Sequence, residues 1–243
     1  MNRFGGFSLI AFSLIVAISG CGHKLSENDL PRPSSRLATA TQNFPGIVMI
    51  SSPQVCTATI VGPSTLLTAA HCVNQGRPVT IQTSEGAKQS SDIVLLGSGV
   101  EGDPHDLALV YLSSPFLSQQ TILPVASGAN PGDQVLVVGY GCASSEAVNS
   151  TGIKRLGSNV VSDVNDFVEV STPGVQIRAV VGPENRAGVC FGDSGGPLLK
   201  QVGGQWAVVG VAHGAYNEAP GQVSQFVNLN HPGNRAFLSQ YIK

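Results

Sequence analysis

Apolar residues in this chain come in short runs rich in Val, Ile and Leu, broken by Gly, Pro, Ser or Asp. That pattern predicts strands and turns rather than long helices. A first set reads Gly46–Ile50, Val55–Val61, Thr65–Thr68, Val79–Thr83, Ile93–Leu96 and Leu107–Leu112. The stretch Ser113–Pro131 then reads as a crossing loop, and a second set follows. It comprises Gln134–Val138, Ile153–Val161, Phe167–Ser171, Val175–Val181, Pro197–Lys200, Trp206–Ala212 and Val223–Val227. Helical spacing is convincing only after Pro232, over about 233–242, with Asn234 as the predicted N-cap. No internal sequence repeat is visible. The expectation is an all-β fold closing with one short helix.

The first twenty residues read differently. Arg3 supplies a positive start, and Phe7 to Ile18 form an apolar core too short to span a bilayer. The segment ends Ile18-Ser19-Gly20-Cys21, which resembles a bacterial lipoprotein signal with Cys21 as the lipidated first residue. Cysteine arithmetic points the same way, because removing Cys21 from the five cysteines leaves an even four. One acyl chain anchors only marginally, so stable attachment needs several. Gly22 stands where an aspartate signals inner-membrane retention in such lipoproteins, which leans toward the outer membrane. Residues 21–43, with Pro31, Pro33 and a Ser/Thr-rich run, read as a tether or pro-segment. The remaining 44–243 is the expected folded body.

Composition narrows the class. Only 12% of the 243 residues are charged while 29 are glycine and 15 proline, which suits many short strands and turns. The formal net charge of −2, without a basic cluster, argues against nucleic acid as a partner.

The stretch that carries chemistry is Gly192-Asp193-Ser194-Gly195-Gly196-Pro197. A serine between glycines can present its hydroxyl unobstructed, with backbone N–H groups aimed at one spot. A hydroxyl needs a base and an orienting group. His71 in Thr68-Ala69-Ala70-His71-Cys72 and Asp106 in His105-Asp106-Leu107-Ala108-Leu109 are the candidates. Taken together, these segments resemble the chymotrypsin/trypsin family of serine proteases, including the order His, Asp, Ser.

The resemblance implies two six-stranded antiparallel Greek-key barrels, about 44–122 and 123–231, with the active site in the crevice between them. It implies His71 as general base, Asp106 as its orienting carboxylate and Ser194 as nucleophile, with the N–H groups of Gly192 and Ser194 forming the oxyanion hole. Cys56–Cys72 matches the family's bridge beside the catalytic histidine, leaving Cys142–Cys190 as the remaining pair. Zinc is the competing use of Cys and His, but no Cys-x-x-Cys or His-Glu-x-x-His spacing is present. No metal or cofactor is expected. His105 reads as a surface residue or one behind Asp106.

Gly188, His213 and Ala215 are the candidate substrate-pocket residues. Gly188 stands where members that cut after Lys or Arg carry an aspartate, and Ala215 adds a methyl where glycine keeps the pocket open. Small or medium apolar side chains are therefore expected at the cleaved position, since a buried cation without a partner is costly. His213 falls where the family has a serine bonded to the catalytic aspartate. It either contacts Asp106 or packs on the wall. The chain departs from the family in lacking an Ile-Val-Gly-Gly start between Gly22 and Pro45, so Asp193 needs another partner. A trimmed terminus, Arg155, or a differently formed turn are the alternatives.

The function expected is a serine endopeptidase acting on protein or peptide substrates. It is exported, secreted or lipid-anchored at a bacterial envelope, meets membrane only through that anchor, and is monomeric. A catalytically silent binding or adhesion module is the alternative. An esterase with a Gly-x-Ser-x-Gly elbow is disfavoured because that motif runs Ser, Asp, His.

Overall fold

Two strand sets close into two barrels, and adjacent residues on the same strand face different cores. The computed structural model describes residues 44–242, apart from 75, 101, 119–120, 127, 144–147, 174–185 and 220. The leader, Cys21, the tether and the predicted strand Val175–Val181 lie outside the described residues. The first barrel contains β1 (Ile47–Ser52), β2 (Cys56–Gly62), β3 (Thr65–Thr68), β4 (Thr80–Thr83), β5 (Gly86–Leu95) and β6 (Ala108–Leu112). The second contains β7 (Gln134–Gly139), β8 (Arg155–Val164), β9 (Phe167–Pro173), β10 (Pro197–Val202), β11 (Gln205–Glu218) and β12 (Gly221–Asn228). Helix α1 spans Pro232–Tyr241.

Both barrels are closed, and every strand pair is antiparallel. The first runs β1-β2-β3-β6-β5-β4 around its circumference. The second, read from β7, runs β7-β8-β9-β12-β11-β10, which is the same order. The chain therefore repeats one architecture without repeating a sequence. Closure requires only matching alternation and register, not matching residues.

The apolar runs are continuous because the strands are buried on both faces. On β7, Val135 and Val137 point into the second barrel's core, whereas Leu136 and Val138 join the core cluster of the first. On β10, Leu198 and Leu199 divide in the same way. The connection between barrels is stitched to both. Leu123 N–H donates to Ile60 O at 2.9 Å, and Ala126 N–H donates to Val208 O at 2.9 Å.

Three strands depart most from their predicted bounds. β5 begins at Gly86 rather than Ile93 because its polar half, Gly86–Asp92, has mostly exposed side chains yet pairs with β4 and β6 through its backbone ladder, with added bonds from Gln89 to Thr80 and from Ser91 to Tyr111 O. β11 continues past Ala212 to Glu218 through a bulge, which hides it from a strict period-2 reading. β8 starts at Arg155 and runs to Val164, the predicted Ile153–Val161 being displaced by two residues at its start.

Asn234 is not the N-cap. His231 occupies that position, with Pro232 opening the helix. Asn234 is instead fully buried, donating through Nδ2 to Pro104 O and Asn228 O, both at 2.9 Å. Its Oδ1 pairs with His105 Nδ1 at 2.7 Å. It joins α1 to the loop before β6. Phe237 and Leu238 of α1 pack on the first core cluster. Among the described residues, no helix is long and apolar enough to cross a membrane.

Asn234→Ala should cost about 2–3 kcal/mol in urea unfolding, because it strands buried polar partners. Asn234→Ser, an equally good N-cap, should not rescue it.

Candidate active site

His71 sits in a single 3-10 turn, Ala70–Cys72, immediately after β3. Ala69 and Ala70 have no exposed surface, so only small side chains fit beneath this turn. Cys72 is bonded to Cys56 at the start of β2, with Cα atoms 6.2 Å apart, which fixes the turn to the barrel. Gln54 Nε2 donates to His71 O at 2.9 Å. The second disulfide, Cys142–Cys190, joins the residues after β7 to the stretch before Ser194.

Asp106 lies just before β6 and is fully buried. Its Oδ1 accepts the backbone N–H of His71 at 2.8 Å. Its Oδ2 pairs with Nδ1 of His71 at 2.6 Å and with Nδ1 of His213 at 2.7 Å. Burial alone would raise this carboxyl's pKa. The bonds from His213 and His71 outweigh it and hold the group well below the usual carboxylate range.

His213 is the bulged residue of β11. Ala212 pairs with Phe226 and Gly214 with Gln225, so the extra residue turns its ring toward the first barrel. The ring stacks on Phe167 at 5.2 Å, and its Nε2 accepts the N–H of Gly102 at 3.1 Å. An accepting Nε2 requires the proton on Nδ1, so the neutral ring donates to Asp106. Of the two open readings of His213, contact with Asp106 is the one observed, and the ring also lines the cleft. Its side chain is 6% exposed against 24% for His71, which faces solvent.

Ser194 comes from the second barrel and meets the first through its backbone. Its carbonyl accepts Thr57 N–H at 2.8 Å and lies 3.6 Å from Cys72 Sγ, one residue from His71. Gly192 and Gly195 have φ of 95° and 79°. Gly195 also lies against the Thr68 hydroxyl and the Thr57 carbonyl, where any Cβ would overlap. Among the described residues, the N–H groups of Gly192 and Ser194 donate no hydrogen bond.

Thr57 was not singled out from sequence. Its Oγ1 donates to Gly192 O at 2.8 Å and accepts Tyr140 N–H at 3.0 Å, joining three segments. A threonine in an apolar strand carries no sequence signal for this. Gly102, which sets the His213 tautomer, was equally silent. His105 faces α1 rather than Asp106, bonding Asn234 and meeting the His231 ring edge-on at 4.8 Å.

A cleft of about 330 Å³ opens between His71 and Gly99 on one side and His213, Gly214, Ala215 and Tyr216 on the other. Gly188 is buried and does not line this cleft; a Cβ there would stand 3.0 Å from Ser224 Oγ, 3.2 Å from Thr172 Oγ1 and 3.3 Å from Gln222 Nε2. These neighbours are polar but uncharged. Ser224 Oγ accepts Val189 N–H at 3.0 Å, and Gln222 Nε2 donates to Val189 O at 3.0 Å.

Paired six-stranded barrels with a histidine, a buried carboxylate and a glycine-bounded serine define the class of two-barrel serine peptidases. The family model described as Trypsin matches residues 35–231, and the chain belongs to that family. It is 25% identical over 227 residues to vitamin K-dependent protein C of Oryctolagus cuniculus, covering 81% of this chain and 47% of that protein. It is 26% identical to the Rattus norvegicus counterpart over 215 residues, covering 77% and 44%. It is 27% identical to transmembrane protease serine 11C of Mus musculus over 177 residues, covering 64% and 41%. The chain thus spans less than half the length of each of these relatives.

Thr57→Val should lower stability by about 2–4 kcal/mol in denaturant titration, since Gly192 O and Tyr140 N–H would lose a buried partner.

Proposed function

We propose that this chain is a serine endopeptidase working through an acyl-enzyme on Ser194. His71 takes the Ser194 proton during attack on the peptide carbonyl and returns it to the leaving amine. Asp106 holds the imidazole with Nδ1 protonated and stabilises the imidazolium. The N–H groups of Gly192 and Ser194 receive the developing oxyanion, each donor worth roughly 3 kcal/mol. The observation carrying this reading is the pair of bonds from His71, through N–H and Nδ1, to one buried carboxylate. Two bonds fix both the position and the tautomer of the ring. His213 adds a neutral donor to the same carboxylate and so acts as a positioning residue, while its ring also lines the cleft.

The cleaved position takes small or medium apolar side chains, with Gly188 read as the base of the pocket. Gly188 carries no carboxylate, its neighbours are uncharged, and Ala215 adds a methyl to the cleft wall. Residues 1–20 are read as an export signal, Cys21 as a lipidation site and 21–43 as a tether, giving a bacterial envelope enzyme acting on protein substrates. The apolar core behind Arg3 and the small residues before Cys21 support this. The trypsin-family body extends over 44–243.

Ser194→Ala should abolish peptide hydrolysis and labelling by a fluorophosphonate probe, with the Tm unchanged within a few degrees. Persistent hydrolysis in that variant would refute the nucleophile. Wild-type protein that folds yet takes no label would instead be a silent binding module. A peptide library should show uncharged small or medium residues at the cleaved position, discriminating against Arg and Lys by at least about tenfold. A profile led by Arg or Lys would overturn the pocket assignment.

A further inference from the structure

Next to Ser194 lies a second buried carboxylate, Asp193, only 5% exposed. Its Oδ1 accepts Gly141 N–H and its Oδ2 accepts Cys190 N–H, both at 2.8 Å. Its backbone closes the turn around it, with N–H donating to Cys190 O at 3.0 Å and O accepting Gly196 N–H at 2.8 Å. The carboxylate packs directly on Gly139 and Gly141, whose missing Cβ atoms would overlap its oxygens. Where the side chain of Asp193 goes, the turn Gly192–Ser194 follows.

Gly141 is held from its other side. Its carbonyl accepts Arg155 Nη1 at 2.7 Å, and the same nitrogen lies 3.0 Å from Ser150 O and 3.1 Å from Ile153 O. Arg155, the first residue of β8, thus gathers three carbonyls with one end of its guanidinium while its charge acts on Asp193. Nη1 has two N–H bonds for these three carbonyls, so the contacts are shared ones and the shortest goes to Gly141 O.

We propose that Arg155 is the positioning residue of the oxyanion turn. It fixes the peptides flanking Gly141, whose N–H holds the Asp193 carboxylate, so the turn forms with the chain's amino terminus blocked or extended. This rests on the assignment of Ser194, Gly192 and the oxyanion hole above.

Burial pushes Asp193 up to about 6, against the opposing effect of the Cys190 and Gly141 N–H bonds and the Arg155 charge. The other titratable groups on the packing elements are committed elsewhere. Lys154, which burial pushes down to about 8, donates to Phe44 O at 2.9 Å and lies over the Tyr140 ring. Tyr140, which burial pushes up to about 12, donates its hydroxyl to Ile47 O. His71 faces Asp106. The sign follows. Two N–H donors suit the ionised carboxylate, and as pH falls through about 6 a proton replaces an acceptor site and loosens the turn. Removing the Arg155 charge moves that loss to higher pH.

The test uses the full chain with Arg155→Ala, Arg155→Lys and Arg155→Gln, the last keeping donors for the carbonyls without the charge. Arg155→Ala should lower kcat about 10- to 100-fold with KM little changed, and weaken a peptide aldehyde, which forms an oxyanion-bearing adduct, to a similar degree. Its acid limb of kcat should move to higher pH. Arg155→Gln should show the same pH shift while recovering most of kcat above it, and Arg155→Lys should fall between wild type and Ala. Chain with its amino terminus acetylated should keep full kcat. Unchanged kcat in Arg155→Ala overturns the proposal. So does a loss explained wholly by fewer titratable active sites with an unmoved acid limb, or activity abolished by acetylation. Activity surviving Ser194→Ala would instead strike the underlying function.

Discussion

A carboxylate with no exposed surface, bonded to imidazoles from two different barrels, is the interaction on which the candidate site depends. Asp106 and His71 come from the first barrel and His213 from the second. A buried charge without donors would shed its charge by taking a proton. Here the surrounding N–H groups reverse that tendency, so burial and bonding must form together. The barrel interface therefore carries an electrostatic condition as well as an apolar one. If the barrels separate, Asp106 loses a donor and His213 loses both the carboxylate on its Nδ1 and the Gly102 N–H on its Nε2.

The two buried carboxylates divide the site between them. Asp106 acts on the ring side and Asp193 on the turn side, and each is satisfied by groups from two separate segments of the chain. Thr57 connects the halves, since its hydroxyl and its N–H reach Gly192, Tyr140 and Ser194. Such fully satisfied polar contacts rigidify a core, whereas a half-satisfied set would destabilise it. The glycines at 139, 141 and 195 leave the space these polar groups occupy.

Legibility in sequence differed by kind of feature. The strands of both barrels announced themselves through Val/Ile/Leu runs, because burial on both faces removes polar interruptions. β5 was read too short because its stability comes from backbone pairing with β4 and β6, which any exposed residues can supply. Asn234 was misread because capping and buried anchoring use the same side chain, and only the neighbouring Pro104 and Asn228 carbonyls tell them apart.

What the sequence by itself determined is local: strand-forming runs, tight glycine turns, the cysteine set, and the segments bearing His71, Asp106 and Ser194, which carried the family resemblance. Those features depend on residues close in the chain. What only the tertiary structure decided is which distant groups share a proton or a charge: His213 on Asp106, Gly102 on His213, and Arg155 through Gly141 on Asp193. Those bonds join residues up to 111 positions apart, and a bulge of one residue re-aims the ring that makes one of them. Spacing along the chain carries no record of such a turn, because hydrogen bonds act through space over about 3 Å and take no account of sequence distance.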